Sequence, residues 1–451
     1  MSISRSLNIA SSALGTYQKA MDVTSNNIAN SSNSDYTRQT VNLSSSTSTF
    51  AEGIFWGSGV QVDSVTRIKD QFVEKQLISY NAQYASYNEQ YELLSEIEQY
   101  FSEPTDLGLS SLMDDFFSAW SELAVSPNSS SLRNQVIYSA QNVVNQLASL
   151  NDNLNTVKND IVNDFESNVD TVNNLLSDIQ ELNQKIFASK SVGGEPNELL
   201  DQRDALIMEL SELTDINVTY DDYEVATVSI GGVLAADKVS SVKFEATQDL
   251  EGNLSLVTAD GGAKVTLTGG KLYAQYDVYS NTIPEYEAQL QSVVDAMVAE
   301  VNSVHSSGYS LDGTTGTDFF VVNADGSIEV NEDIINDPNL IAASLDGTEG
   351  NGDIANSIAE IANGKIVDNQ TLAEAYSSLI SDLANDVETA QERTDSTSLI
   401  IEQLQEEKSS YSGVSIDEEM VNIITYQSAY QAAAKVVSIV DEMLDTLINM
   451  V

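Results

Sequence analysis

The sequence predicts a mainly α-helical, elongated, multi-domain chain with an inserted antiparallel β domain. Three observations carry that reading: strict heptad spacing at both ends, long stripes of helical period through the body, and one central stretch where the period falls to two. At 451 residues, 41% of them hydrophobic, the chain is long enough for two or three domains with filled cores.

From the N-terminus, Ile3, Leu7, Ala10, Leu14, Tyr17, Met21, Thr24 and Ile28 alternate spacings of four and three. That seam belongs to a helix packed along its length against partner helices. The C-terminus repeats it through Ile423, Gln427, Tyr430, Ala434, Val437, Asp441, Leu444, Ile448 and Val451, with Ala432, Ala433 and Ala434 permitting close approach. Residues 1–33 with 412–451 are therefore expected to pair as a terminal coiled coil. Its apolar positions Ile3, Leu7, Leu14, Tyr17, Met21, Ile28, Tyr430, Ala434, Val437, Leu444 and Ile448 are the candidate assembly interface.

The first seam runs into residues 24–39, TSNNIANSSNSDYTRQ. Asn and Ser bond their own backbone and tolerate left-handed conformations, so Asn26, Asn27 and Asn30 read as the exit from the helix.

Further on, Leu77, Tyr80, Tyr84, Tyr87, Tyr91 and Leu94 form a stripe best read as core rather than as a stacking platform. A second pattern spans 131–189 through Leu147, Leu154, Ile161, Phe165, Val172 and Ile179, on the order of 90 Å if it is one helix. A third seam runs from Leu383 through Leu404 to Tyr411. These three are expected to make an elongated antiparallel bundle from residues 34–213, 283–310 and 366–411. Residues 216–275 alternate Val, Thr, Ile and Tyr with polar residues and turn at paired glycines, which predicts a small antiparallel β domain over 214–282. A helix from 283 to 306 then returns toward the bundle, and 311–365 form a turn-rich segment with several Asp-Gly pairs.

Candidate chemistry is scarce. A single histidine, His305, and no cysteine preclude a multi-histidine or thiolate metal site, and His305 is read as a packing or surface residue. Asn323, Asp325, Gly326 and Glu329 lack the ligand spacing of a calcium loop and read as a hairpin turn instead. The paired glycines lack the strand and helix order that cradles phosphates. No catalytic, cofactor or metal residue is assigned.

Charge narrows the partners. There are 19 basic residues against 69 acidic ones, a formal net of -50. Such a surface repels nucleic acid and anionic lipid. Within residues 1–75 six basic side chains balance six acidic ones, so all of the net charge lies beyond. A neutral segment on an acidic body suits close packing against other copies. No signal-peptide pattern or membrane span is evident, which fits a cytosolic chain or one exported without a cleaved signal.

Both ends, Ser25-Asn26-Asn27-Ile28-Ala29-Asn30 and the stretch from Ile416-Asp417-Glu418-Glu419 through Tyr426-Gln427-Ser428-Ala429-Tyr430 to Ile448, resemble those of the axial rod and hook proteins of the bacterial flagellum. Tyr36-Thr37-Arg38-Gln39, Asn197-Glu198-Leu199-Leu200-Asp201-Gln202-Arg203-Asp204, Gly316-Thr317-Asp318-Phe319-Phe320 and Ser412-Gly413-Val414-Ser415 are similar to the hook-associated protein 1 family within that group. The resemblance implies a structural, non-enzymatic subunit at the first junction between hook and filament, exported through the flagellar type III channel with the help of an export chaperone. It further implies a ring of like subunits between the hook protein and hook-associated protein 3, with the terminal helices inside and the β domain outward. Tyr36, Thr37 and Arg38 complete the exit motif, and Tyr36 and Arg38 would then reach a neighbouring subunit, Arg38 forking onto a carboxylate. The outer domain many members carry after Phe320 is expected to be absent or vestigial. Another axial subunit, or a helical-stalk adhesin or enzyme, stays open as an alternative.

Overall fold

The computed structural model describes residues 3–51, 53–101, 108–249, 252–324 and 326–450. Val451 of the C-terminal seam and Asp325 of the hairpin turn lie outside them.

Helix α1 (Ile3–Ala29) is followed by strands β1 (Gln39–Ser45), β2 (Thr49–Ala51), β3 (Ile54–Trp56) and β4 (Val60–Arg67). The body begins with α2 (Gln71–Phe101), α3 (Leu109–Val125), α4 (Ser130–Ser191) and α5 (Asn197–Leu213). Strands β5 (Ile216–Tyr220), β6 (Ala226–Ile230), β7 (Val233–Ala236), β8 (Phe244–Gln248), β9 (Leu254–Thr258) and β10 (Lys264–Val265) come next. Then follow α6 (Gly270–Asp277), α7 (Ile283–Ser307), β11 (Phe320–Val322), β12 (Ile328–Val330), α8 (Glu332–Asn336), α9 (Asp353–Glu360), α10 (Leu372–Ser412) and α11 (Ile416–Asn449).

The central helix α4 runs unbroken for 62 residues, about 93 Å at 1.5 Å per residue. Ser129 caps its start, accepting from the Leu132 amide at 3.4 Å. Its buried stripe, from Val136 through Leu154, Ile161, Phe165 and Val172 to Ile186, keeps helical spacing throughout. Helix α7 packs against it, tied by Lys158 to Glu287 at 2.6 Å. Helices α2 and α10 lie antiparallel, with Leu77 against Leu404 at one end and the Arg393 guanidinium 5.5 Å from the Tyr87 ring further along. A capping box, Thr371 with Glu374, starts α10.

Two expectations are corrected. The 214–282 stretch holds two separate three-stranded antiparallel sheets, β5-β6-β7 and β10-β9-β8, rather than one sheet. Its last part is helix, not strand: α6 buries Leu272, Ala274 and Gln275, and a π turn at Val278–Thr282 carries it into α7. Gly270 permits this junction, since its φ is +78° and a Cβ there would stand 2.4 Å from the Thr214 nitrogen. The range 34–213 also opens with two hairpins, β1–β4 and β2–β3, where only helix was expected.

Phe319 and Phe320 plug the core beside Phe116, Trp120 and His305, with ring centroids 4.9–6.3 Å apart. Asn302 fixes both, its Oδ1 accepting from their amides at 3.0 and 2.8 Å. His305 is a fully buried clamp: Nδ1 donates to the Thr317 carbonyl at 2.7 Å and Nε2 accepts from the Ala342 amide at 2.9 Å. Burial, against the pull of the Thr317 carbonyl, lowers its pKa to about 4. The turn-rich segment contains a repeated Ser-Leu-Asp-Gly-Thr at 310–314 and 344–348. Asp312 and Asp346 accept from the Thr314 and Thr348 amides at 2.9 and 3.0 Å, and a Tyr309–Ser344 bridge sets the two turns side by side.

Candidate assembly interface

Helices α1 and α11 pair antiparallel, Tyr17 stacking on Tyr426 at 6.4 Å while Ile3 approaches Ile439 and Leu447. Among the described residues of the pair few are fully covered. On α1 these are Ala10, Thr16, Ala20, Thr24 and Asn27, and on α11 Glu419 and Val440. The heptad residues Ile3, Leu14, Tyr17, Met21, Ile28, Tyr430, Ala434 and Val437 are half-buried, while Leu7, Leu444 and Ile448 are exposed. A pair of helices covers one strip of each, and small residues occupy the line of closest approach.

A second apolar line on α11 was not singled out from the sequence. Val436, Ile439, Met443, Leu447 and Met450 follow one another at three- and four-residue intervals and are 41–78% exposed. Met420 and Ile424, near the start of the helix, are also exposed but lie on a different side of it. Its signal was legible as a parallel stripe, masked by the more regular heptad beside it.

Where the pair meets the body, polar side chains form a clasp. Asn27 uses every hydrogen-bonding position it has. Its Oδ1 accepts from the Tyr36 hydroxyl at 2.8 Å and the Gln39 amide at 3.0 Å, and its Nδ2 donates to the Gln39 carbonyl at 2.9 Å and Glu419 Oε2 at 3.2 Å. Arg38 reaches Glu419 through Nε at 2.8 Å and Nη2 at 2.7 Å, and Glu418 through Nη1 at 3.0 Å. The expected fork onto a carboxylate thus exists, but the carboxylates belong to the same chain; Tyr36 likewise bonds its own Asn27. The reason is topological: residue 412 returns the chain to the point where α1 ended, and the Arg38 amide donates to the Ser412 carbonyl at 3.2 Å. Asn26 and Asn30 bond each other at 3.0 Å and round off the exit.

The Asn197–Asp204 stretch forms the other half. Thr37 donates its amide to Asp201 at 3.3 Å, and Arg67 bridges Asp201 and Asp204 at 2.8 and 2.9 Å. Lys69 and Arg203 also reach Asp204, at 3.0 and 2.7 Å. Asn197 ties Gln39 and the Val65 carbonyl, at 3.2 and 2.9 Å. Burial opposes ionisation of Asp204, yet Arg203, Lys69 and Arg67 together hold its carboxyl well below the ordinary range. Burial, reinforced by Asp201, Glu419 and Glu198, pushes the Tyr36 phenol up to about 12. These perturbed groups are paired with one another, with only Arg67 Nη2 left buried and unbonded, an arrangement that positions helices rather than exposing a reactive atom. Among the described residues no His, Asp and Glu cluster could hold a metal, and no helix is long and apolar enough to cross a membrane.

A Bacillus subtilis protein named flagellar hook-associated protein 1 is 31% identical over 493 residues, covering 98% of this chain and 97% of its own. The chain belongs to the flagellar hook-associated protein 1 family. Its helical domain, described as that of flagellar hook-associated protein FlgK, matches residues 94–320. The two ends match families shared with rod proteins, over 7–36 and 407–450. The hook-associated protein 1 of Salmonella typhimurium is 25% identical over 554 residues, at 98% and 99% coverage. The structure of the flagellar hook junction protein FlgK from Burkholderia pseudomallei has the same fold, with a TM-score of 0.67 at 15% identity over 75% of this chain and 100% of that one. The aligned spans exceed the 451 residues here, so these family members carry insertions this chain lacks. The family is structural, not enzymatic.

Proposed function

We infer that this chain is a structural subunit of the bacterial flagellum that forms the first junction between hook and filament. The observation that carries the reading is the half-covered terminal helix pair, whose α11 keeps an apolar face 41–78% exposed from Val436 to Met450 in a member of this family. Unsupported, that face costs solubility; stacked against like subunits, it becomes the inner wall of a tube. In this reading Ile3, Leu7, Leu14, Tyr17, Met21, Ile28, Tyr430, Ala434, Val437, Leu444 and Ile448 supply the assembly contacts, joined by Met420, Ile424, Met443 and Leu447. The clasp around Asn27, Tyr36 and Arg38 sets the angle at which the tube wall leaves the body. The subunit sits on the hook protein, carries hook-associated protein 3, and reaches the cell exterior through the flagellar export channel, escorted by an export chaperone. The acidic body faces the medium, with no outer domain after Phe320.

Deleting the gene and imaging the cells tests the reading. Hooks should persist while filaments are lost and flagellin is shed into the medium; wild-type filaments on the deletion strain would reject it.

A further inference from the structure

We propose that the β2–β3 hairpin is an intersubunit knob, its Phe50 and Phe55 seating in the apolar notch that Ile3, Ile439, Met443 and Leu447 form on an adjacent copy of this chain. The inference rests on the junction-subunit reading and adds to it a contact made by the β2–β3 hairpin. Phe50 and Phe55 face each other across the hairpin with ring centroids 4.9 Å apart, yet they are 63% and 73% exposed, and Ile54 at the start of β3 is 56% exposed. Among the described residues no core covers Phe50, Ile54 or Phe55, and a lone two-stranded hairpin is marginal in water. Its base, by contrast, is held: the Arg5 guanidinium lies 5.1 Å from the Trp56 ring, and Ser12 and Thr16 both donate to the Val60 carbonyl, at 2.5 and 3.1 Å. A firm base under an exposed pair of aromatic rings is the form of a docking element.

The notch lies between the start of α1 and the last turns of α11, open to solvent, with a volume of about 510 Å³ and Glu442 on its rim. That space accommodates a pair of aromatic rings. Charge selects the occupant. Arg5 flanks the knob and makes no ion pair among the described residues, whereas Glu442 flanks the notch, with Asp441 and Asp445 exposed beside it. An anionic lipid surface would meet a chain of net charge -50 and be repelled. Knob and notch also sit at the same end of α1, since Arg5 touches the hairpin and Ile3 lines the notch. Two copies displaced sideways bring one knob to the next notch. The contact is heterologous, so it repeats from copy to copy around an axis and does not stop at a dimer.

The chain lacks cysteine, which makes disulfide trapping clean. Phe55→Cys and Met443→Cys single variants would be produced together in a strain deleted for the native gene, flagella isolated, and the thiols oxidised. Disulfide-linked dimers are expected only when both variants are present, and the double variant should give a ladder of linked multimers. Variants incorporated into flagella without cross-linking would overturn the knob and leave the junction reading standing; absence of the wild-type chain from flagella would overturn both. As a second measure, Phe50→Ser with Phe55→Ser should keep the wild-type circular dichroism while incorporation falls on the order of tenfold, the loss expected when central aromatic anchors are removed. Unchanged incorporation would overturn the proposal, as would binding of the wild-type chain, but not of the serine variant, to vesicles of anionic phospholipid.

Discussion

The terminal helix pair and the body are both made of long helices, and they treat their apolar residues in opposite ways. In the body, Phe101, Phe116, Trp120, Phe165 and Phe244 are no more than 1% exposed, so that part of the chain completes its own core. Among the described residues of the pair the only fully buried apolar ones are Ala10, Ala20 and Val440, while Met443, Leu447 and Met450 stand 50–78% exposed. The body completes its own core, whereas the pair leaves an apolar face open to solvent.

The contrast breaks most visibly at an aromatic in the body. Phe116→Ala should lower stability by about 3–5 kcal/mol, because it empties a site ringed by Phe117, Trp120, Phe319 and Phe320. Urea melts followed by Trp fluorescence would read this, and a change below about 1 kcal/mol would show that the cluster repacks freely.

Next in size is the acid response of the body. His305 has its pKa lowered to about 4 from an ordinary 6.5, so the unfolded chain takes up the proton first. Its contribution is intact above pH 6.5 and is lost as pH falls toward 4, by up to about 3 kcal/mol. Asp318 and Arg133 act on the same ring with opposite signs. The difference between the wild type and His305→Gln isolates the effect: its pH slope between 6.5 and 4 should vanish in the variant, and parallel curves would assign the acid response elsewhere.

At the border between the two regions the expected effect is smaller. Glu419→Ala removes the buried partner of Arg38 and Asn27, worth about 2 kcal/mol for charged hydrogen bonds, while Glu418 retains part of the contact. Amide exchange should quicken through α1 and α11 and stay unchanged in α3 and α4. Equal quickening everywhere would mean the clasp also supports the body.

The smallest change in stability belongs to the pair's outer face. Met443→Ser, at a position already 53% exposed, should shift the melt by less than about 0.5 kcal/mol yet cut incorporation into flagella. A large loss of stability would show that the isolated pair depends on that face for its own folding.

Much of this division was legible in the sequence. The stripe from Val136 to Ile186 announces α4 because a helix that long repeats its period many times, and the heptads announce α1 and α11 for the same reason. The short elements were not legible. Strand β3 is Ile54–Trp56, too brief for alternation to register, and the Leu272-Tyr273-Ala274 run of α6 looks as much like a strand as a helix turn. The partner of Arg38 could not be read either, since an arginine among so many carboxylates carries no address until α11 returns to residue 412. Asp201, Arg203 and Asp204 stood out as a motif whose purpose appears only when Arg67 and Lys69, more than a hundred positions earlier, lie against them.

The clasp also has a mechanical meaning. The pair joins the body through two covalent strands, residues 30–38 and 412–415, and both cross at the same place. A twist of the pair against the body therefore loads this crossing, together with the Ser12 and Thr16 bonds to the Val60 carbonyl. Had the two strands entered at distant points, a twist would peel their anchors one after another. Because Arg38 with Glu419, Thr37 with Asp201, and Asn27 with Gln39 lie abreast, they share the load in parallel, and the joint yields only when all of them give way together.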